Sequence, residues 1–159
     1  MVSVVTPRTL RPIPYLIAVC LIALTANAKY SGGTGEPNDP YQIATAADLI
    51  ALGETPEDYD KHFLLTADID LDPNLPGHKV FDKAVIAPDI DPVTSGFQGT
   101  AFTGVFDGNG HTILCLTITG KDYLGLFGQL GSAGSVSNLG LEALVRQRYD
   151  ESICLLARR

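Results

Sequence analysis

Apolar residues recur along the chain with three different spacings, and each spacing predicts a different element. From residue 45 the apolar stripe has helical spacing, and Thr45, with Asp48 three residues later, has the arrangement of a capping box. Gly53 follows the stripe, where a glycine can end a helix in a left-handed conformation. The pattern predicts one short helix over residues 45–52.

From residue 63 the apolar spacing changes to two, which predicts a half-buried strand. Its apolar face comprises Phe63, Leu65, Ala67, Ile69 and Leu71, and its polar face comprises Thr66, Asp68 and Asp70. The next segment, residues 72–101, is rich in Gly, Pro, Asn and Asp around a short apolar piece at 85–87. Such a segment predicts a long loop, and loops of this length inside a compact domain are often functional or mobile.

The third spacing is an internal repeat. One set of residues recurs 21 positions later: Gly104, Phe106 and Gly110 return as Gly125, Phe127 and Gly131. Another set recurs 23 positions later: Ile113, Leu116 and Ile118 return as Val136, Leu139 and Leu141. Repeats of twenty-odd residues with glycine corners are typical of solenoids, whose coils bury their apolar faces on one another. We therefore expect Leu116/Ile118 and Leu139/Leu141 to point inward in successive coils.

The first 28 residues have the layout of a secretory signal peptide. Arg8 and Arg11 precede an apolar run over residues 15–24, and Ala26-Asn27-Ala28 predicts cleavage after Ala28. A membrane anchor is the alternative, but the run is about a dozen residues long and a bilayer span needs about 20. We expect an exported protein that is secreted or held at the cell surface, with no membrane segment after signal removal.

Charge is distributed unevenly along the chain. Residues 29–144 carry sixteen acidic residues and five lysines, a net charge of −11, and residues 29–145 contain no arginine. Nucleic-acid binding needs clustered Lys and Arg, so we expect no nucleic-acid partner. Cysteine is sparse and does not indicate a disulfide framework. The tail over residues 145–159 is atypical because it contains Arg146, Arg148, Arg158 and Arg159.

The stretch over residues 123–144, "YLGLFGQLGSAGSVSNLGLEAL", resembles the GLUG repeat through Gly125-Leu126-Phe127-Gly128. "FTGVFDGNGHTILCLTI" is similar to the coil that commonly precedes it, and "PYQIATAADLIAL" with "FLLTADIDL" resembles the N-terminal capping region of such proteins. The resemblance covers roughly residues 31–144. The repeat-defining residues are Gly104, Phe106, Gly110, Gly125, Leu126, Phe127, Gly128, Asn138 and Leu139.

This resemblance implies an all-β fold, namely a short right-handed parallel β-helix with a short N-terminal capping helix and a long loop. It also implies a bacterial secreted or cell-surface protein of the adhesin-like kind. Family members carry many coils, whereas one full GLUG unit is present here and the pattern stops at Leu144. Two interpretations of the tail stay open: a charged cap over the last coil, and an out-of-frame or truncated end.

Two groups of residues could carry chemistry. Asp107 and His111 could act as acid and base in a catalytic corner, but turn chemistry explains every residue of that glycine-rich corner. Three carboxylates could collect calcium, although Pro73 and Lys79 rule out an EF-hand and a solvated acidic face is the favoured interpretation. These calcium candidates are Asp68, Asp70 and Asp72. The sequence predicts no other cofactor.

Three functions follow from these patterns. The favoured one is a non-enzymatic structural or adhesive β-solenoid that contacts an extracellular glycan, a protein or the cell wall through its coils and its long loop. The second is a polysaccharide lyase or hydrolase, an activity that other parallel β-helices host in an outer groove. The third is the cap of a larger protein, without independent function.

Overall fold

The computed structural model describes residues 29–91 and 93–142, together with the backbone of residues 145–146. The predicted signal peptide and the side chains of the tail lie outside these residues. The described part contains an α-helix, α1 (Ala46–Gly53), a 3₁₀ helix over Pro56–Asp58, and nine short strands. The strands are β1 Tyr41–Ile43, β2 His62–Leu65, β3 Ile69–Asp70, β4 Val105–Asp107, β5 Thr112–Leu114, β6 Thr117–Ile118, β7 Ser135–Ser137, β8 Gly140–Glu142 and β9 Val145–Arg146.

The strands form three small sheets, and every strand pair in them is parallel. The sheet orders are β1-β2-β4-β7, β3-β5-β8 and β6-β9. Isolated parallel bridges add Phe81 to Ile118, Ile86 to Phe127 and Phe102 to Leu130. Successive segments of the chain, each of which we call a pass, therefore lie side by side with their strands in register. The prediction of a mostly β fold with one helix is confirmed at this level.

Aromatic side chains at matching strand positions form the centre of the core. Phe63 pairs with Phe106 across β2 and β4, and their rings stack with centroids 6.4 Å apart and planes 27° apart. Phe102 and Phe127 pack against them, with centroid distances of 6.0 Å from Phe63 and 5.5 Å from Phe106. Neighbouring parallel strands are about 4.8 Å apart, so side chains at one register position on one face must contact each other.

The helix begins as the sequence predicts and ends differently. Thr45 Oγ1 accepts from the Asp48 amide at 3.1 Å, and the Asp48 carboxylate accepts from the Thr45 amide at 3.0 Å, which confirms the capping box. Gly53 is the last helical residue rather than a left-handed cap, and Glu54 follows it with φ −90°. A Cβ at position 53 would lie 1.9 Å from the Val85 carbonyl oxygen. Glycine is therefore required by close packing.

The strand predicted from residue 63 to residue 71 is two strands in different sheets. β2 and β3 are separated by a corner at residues 66–68, where the chain turns from the first sheet to the second. Phe63, Leu65 and Ile69 are buried, and Asp70 is exposed, as the alternation predicts. Inward and outward positions alternate on both sides of the corner, so the spacing of two did not reveal it.

The predicted equivalences between repeats are also wrong in register. Phe106 lies opposite Val136, not Phe127, and Ile113 lies opposite Leu141. Phe127 instead bridges to Ile86 in the long loop. Successive passes differ in length because the loops between their strands differ, and a constant shift cannot align them.

The predicted inward pairs differ in burial. Leu116 and Ile118 are buried, whereas Leu139 is half-buried and Leu141, in the last strand of its sheet, is 42% exposed.

The first described residues cover the outer edge of β1. Ser31 N donates to the Gln42 carbonyl at 3.1 Å, and Gln42 N donates to the Gly32 carbonyl at 2.8 Å, in an antiparallel bridge. At the opposite side of that sheet β7 is the outermost strand of the described chain. Within the residues that the structure describes, no helix is long and apolar enough to cross a membrane.

One expectation about cysteine is wrong. Cys115 is buried at 3% exposure and is disulfide-bonded. Its backbone has φ 56° at the end of β5, a conformation that few non-glycine residues adopt.

Candidate functional site

The glycine-rich corner between β4 and β5 is built by contacts with the next pass of the chain. Gly108 N donates to the Ser137 carbonyl, and Gly110 N donates to the Asn138 carbonyl, both at 2.8 Å. A Cβ at Gly108 would lie 2.5 Å from the Asn138 carbonyl oxygen, and Gly110 has φ 78°. Close approach and left-handed geometry therefore explain these two glycines.

Other repeat-defining residues also occupy positions of close approach or unusual backbone. A Cβ at Gly104 would lie 2.0 Å from the Lys61 carbonyl oxygen, and one at Gly128 would lie 2.4 Å from the Ala87 carbonyl oxygen. Asn138 has φ 52° and Leu126 is buried. Each of these positions serves the packing of the passes.

Asp107 and His111, the predicted acid and base, do not face each other. Asp107 Oδ1 accepts from Asn109 N at 2.8 Å and from Asn138 Nδ2 at 3.0 Å. Those two hydrogen bonds, the backbone one first, lower the pKa of Asp107 below its ordinary value. His111 Nδ1 lies 3.2 Å from Asp68 Oδ1 instead. Both side chains therefore join successive parts of the chain.

The three calcium candidates bind neighbouring groups of the protein. Asp68 Oδ1 accepts from Thr112 N at 2.9 Å, and this bond, followed by the His111 contact, lowers the pKa of Asp68. Asp70 accepts from the Asp72 amide, and Asp72 accepts from the amide and side chain of Asn74. No group of three His, Cys, Asp or Glu side chains that could hold a metal ion occurs in the described residues.

The long loop and the turn after β6 border an open cavity of about 470 Å³, most of whose lining residues are exposed. The loop is fixed by its own carboxylates: Asp89 Oδ1 accepts from Gln98 N at 2.9 Å, and Asp91 accepts from Val93 N at 3.0 Å and Thr94 Oγ1 at 2.6 Å. The Thr94 hydroxyl, more than the Val93 amide, lowers the pKa of Asp91. The cavity is lined by Asp89, Val93, Thr94, Ser95, Gly96, Asp122 and Tyr123.

Sequence reasoning missed Asp122 and Tyr123 as lining residues. Tyr123 has φ 51°, and its ring meets Phe97 edge-on with centroids 5.3 Å apart. The contact joins residues from the loop and from the turn, so neither stretch reveals it alone. The sequence did offer one signal for such a site, namely the aromatic Tyr123 directly after Asp122 in a turn.

A second cavity of about 410 Å³ lies between the end of α1 and residues 79–90. Its lining includes Ile50, Phe81 and Ile90, and Lys79 Nζ lies 5.5 Å from the Phe81 ring centroid. Ile90 is 70% exposed. The lining also carries four charged residues, Glu54, Lys79, Asp82 and Lys83.

A buried carboxylate near the predicted cleavage site has a structural role. Asp58 accepts from the Tyr30 hydroxyl at 2.7 Å, and Lys29 Nζ lies 2.8 Å from the same oxygen. Burial, more than the Asp58 contact, raises the pKa of Tyr30. These contacts hold the start of the described chain against the 3₁₀ helix.

Two known proteins are similar to this chain. Halomucin of Haloquadratum walsbyi is 37% identical over 116 residues, which is 69% of this chain and 1% of that protein. A putative Gly-rich membrane protein of Evansella cellulosilytica is 38% identical over 119 residues, which is 70% of this chain and 12% of that protein. The chain therefore spans a small part of the length of these relatives. No family model, that of the GLUG repeat included, matches the chain. No solved structure matches it either.

Proposed function

We propose that the chain is an exported, non-catalytic structural protein of the cell surface, built as a short right-handed parallel β-helix. The observation that carries this proposal is the in-register parallel pairing of successive passes. One pass contributes β4, β5 and β6, the next contributes β7, β8 and β9, and each strand pairs with its counterpart. Parallel strands joined by crossovers are right-handed in nearly all proteins, which supports the proposed hand.

The surface role has two supports. The signal-peptide layout of the first 28 residues favours export. The two relatives are named a halomucin and a putative Gly-rich membrane protein, and both names fit a protein of the cell exterior or envelope. We propose that this chain shares that setting and makes adhesive contacts there to a glycan, a protein or the cell wall.

The non-catalytic part of the proposal rests on the placement of the acidic groups. Asp107 is occupied by two amide donors, and residues 29–145 lack the arginine that would bind an acidic polysaccharide. One observation favours the lyase or hydrolase alternative: His111 and Asp68 form an imidazole–carboxylate contact with side chains 32% and 63% exposed. Cleavage of acidic polysaccharides, assayed with and without calcium and lost in Asp107→Ala or His111→Ala, would replace our proposal with that alternative.

Surface location is tested in bacterial cells that express the full chain with a C-terminal epitope. We expect external protease to remove the epitope from intact cells, and the mature protein to begin at Lys29. The matched control lacks residues 2–28 and should stay protected inside the cell. A full-length chain that keeps its first 28 residues and resists external protease would contradict the proposal.

A further inference from the structure

We propose that the cavity between the long loop and Tyr123 binds a neutral sugar unit of a polysaccharide. The inference rests on the proposed surface function, because it names the ligand class and the site of the adhesive contact. The cavity volume of about 470 Å³ lies within the range of about 300–1,000 Å³ found for small-molecule sites.

The lining offers both kinds of hydrogen-bonding group that sugar hydroxyls need. Asp89 and Asp122 accept hydrogen bonds, and the hydroxyls of Ser95 and Tyr123 can both donate and accept, whereas the Thr94 hydroxyl donates to Asp91 and offers only its acceptor side. Sugar hydroxyls likewise donate and accept, so each can be matched. The Tyr123 ring adds an apolar face for the C–H groups of a pyranose, as aromatic side chains with a polar tip do.

Charge narrows the ligand class. Among the described residues, the cavity lining contains two carboxylates and no Lys, Arg or His, and residues 29–144 carry a net charge of −11. An acidic sugar or a phosphate would place like charges together without a partner, which is unfavourable at short distance. An ammonium group would suit the carboxylates, but it would fill a small part of the cavity and leave the hydroxyls unmatched.

The site is also organised before any ligand arrives. Asp89 and Asp91 hold the loop through hydrogen bonds to its own amides, and Phe97 supports the Tyr123 ring. The left-handed backbone at Tyr123 is unfavourable for a bulky side chain, and such strain clusters at ligand sites. Preorganised loops and side chains lose less entropy on binding, which raises affinity.

The test is a titration of the purified mature chain, residues 29–159, followed by amide NMR shifts. The probes are cellotriose, maltotriose and tri-N-acetylchitotriose, with trigalacturonate as the acidic sugar and methylammonium as the cation. We expect at least one neutral trisaccharide to give saturable shifts at residues 93–98 and 121–124, and trigalacturonate to give none there. No saturable shift with any neutral trisaccharide up to roughly 20 mM, the millimolar limit of weak binding, would overturn the proposal. So would saturation by methylammonium alone.

Two variants locate the site. Tyr123→Gly removes the ring and suits the left-handed backbone, so it should fold, and Asp122→Asn removes one carboxylate. Each should weaken binding about tenfold, the loss expected for one stacking contact or charged hydrogen bond. Asp82→Asn is the matched control, an exposed aspartate outside the cavity, and should leave affinity unchanged. Equal affinity in all three variants would contradict the assignment. Because the titration uses purified protein, its outcome is separate from that of the cell-surface experiment.

Discussion

Asn138 donates a hydrogen bond from Nδ2 to Asp107 Oδ1 across 3.0 Å, and so joins the corners of two successive passes. The same oxygen accepts the Asn109 amide at 2.8 Å and closes the turn of its own pass. One carboxylate therefore fixes both the shape of a corner and its position over the next. Asp68, one pass earlier, serves the second of these purposes, because it contacts Thr112 N and His111 Nδ1.

We expect Asp107 to make the fold sensitive to acid. Its pKa is lowered in the folded chain, so its contribution to stability is present above its unfolded value of 3.8 and is lost as pH falls through the lower folded value. Asp107→Asn should therefore lower the urea midpoint at pH 7, and the difference from the parent should shrink as pH falls below about 4. Asp82→Asn is the control. A difference that grows toward low pH would contradict the assignment.

The helix end offers a test in which two effects have opposite signs. Helix propensity alone favours Ala over Gly by about 1 kcal/mol, but a Cβ at Gly53 would lie 1.9 Å from the Val85 carbonyl oxygen. We expect Gly53→Ala to destabilise the protein by about 1–3 kcal/mol through overpacking, measured by urea unfolding. The converse change, Ala47→Gly at an exposed position of the same helix, should cost about 1 kcal/mol. A stabilised Gly53→Ala variant would show that the contact is relaxed.

Truncation of a core side chain should destabilise the protein more in β4 than in the outermost strand, β7. Phe106 is fully buried and its ring stacks on that of Phe63, so Phe106→Ala should lower the free energy of unfolding by about 3–5 kcal/mol. Val136 occupies the matching position in β7 but is half-buried, so Val136→Ala should cost less than about 1.5 kcal/mol. Thermal or urea unfolding of both variants measures the difference. Equal losses would mean that β7 is covered as fully as β4.

The first described residues should stabilise the fold through the hydrogen bond between Tyr30 and the buried Asp58. Tyr30→Phe removes the hydroxyl that donates to this carboxylate at 2.7 Å, and we expect a loss of about 2 kcal/mol, typical of a hydrogen bond to a charged group. Tyr41→Phe is the matched control, because it keeps a half-buried ring in the same aromatic cluster. If both variants unfold at the same urea concentration, the Tyr30–Asp58 contact does not stabilise the fold.

Local features were predictable because their determinants lie close together in sequence. The capping box needs only Thr45 and Asp48, and the inward positions around residue 63 follow from alternation. The register between passes was not predictable in this way. It depends on the length of each connection, so the register partner of Phe106 is Val136, whereas Phe127, 21 positions later, only packs its ring against that of Phe106.

The candidate site was the least predictable part for a related reason. Its lining combines Asp89 and residues 93–96 of the loop with Asp122 and Tyr123, and only the folded chain brings the two parts together. The partners of Asp107 and His111 were equally out of reach of the sequence, because each side chain contacts a residue more than thirty positions away, Asn138 and Asp68 respectively.

The antiparallel contact at Gln42 gives the stack a direction. It occupies the outer edge of β1 with the chain's own residues, so a further parallel strand has no free backbone groups to pair with there. A further parallel strand can therefore pair beside β7 but not beside β1. In the proposed β-helix, growth by added coils would accordingly be confined to the β7 side.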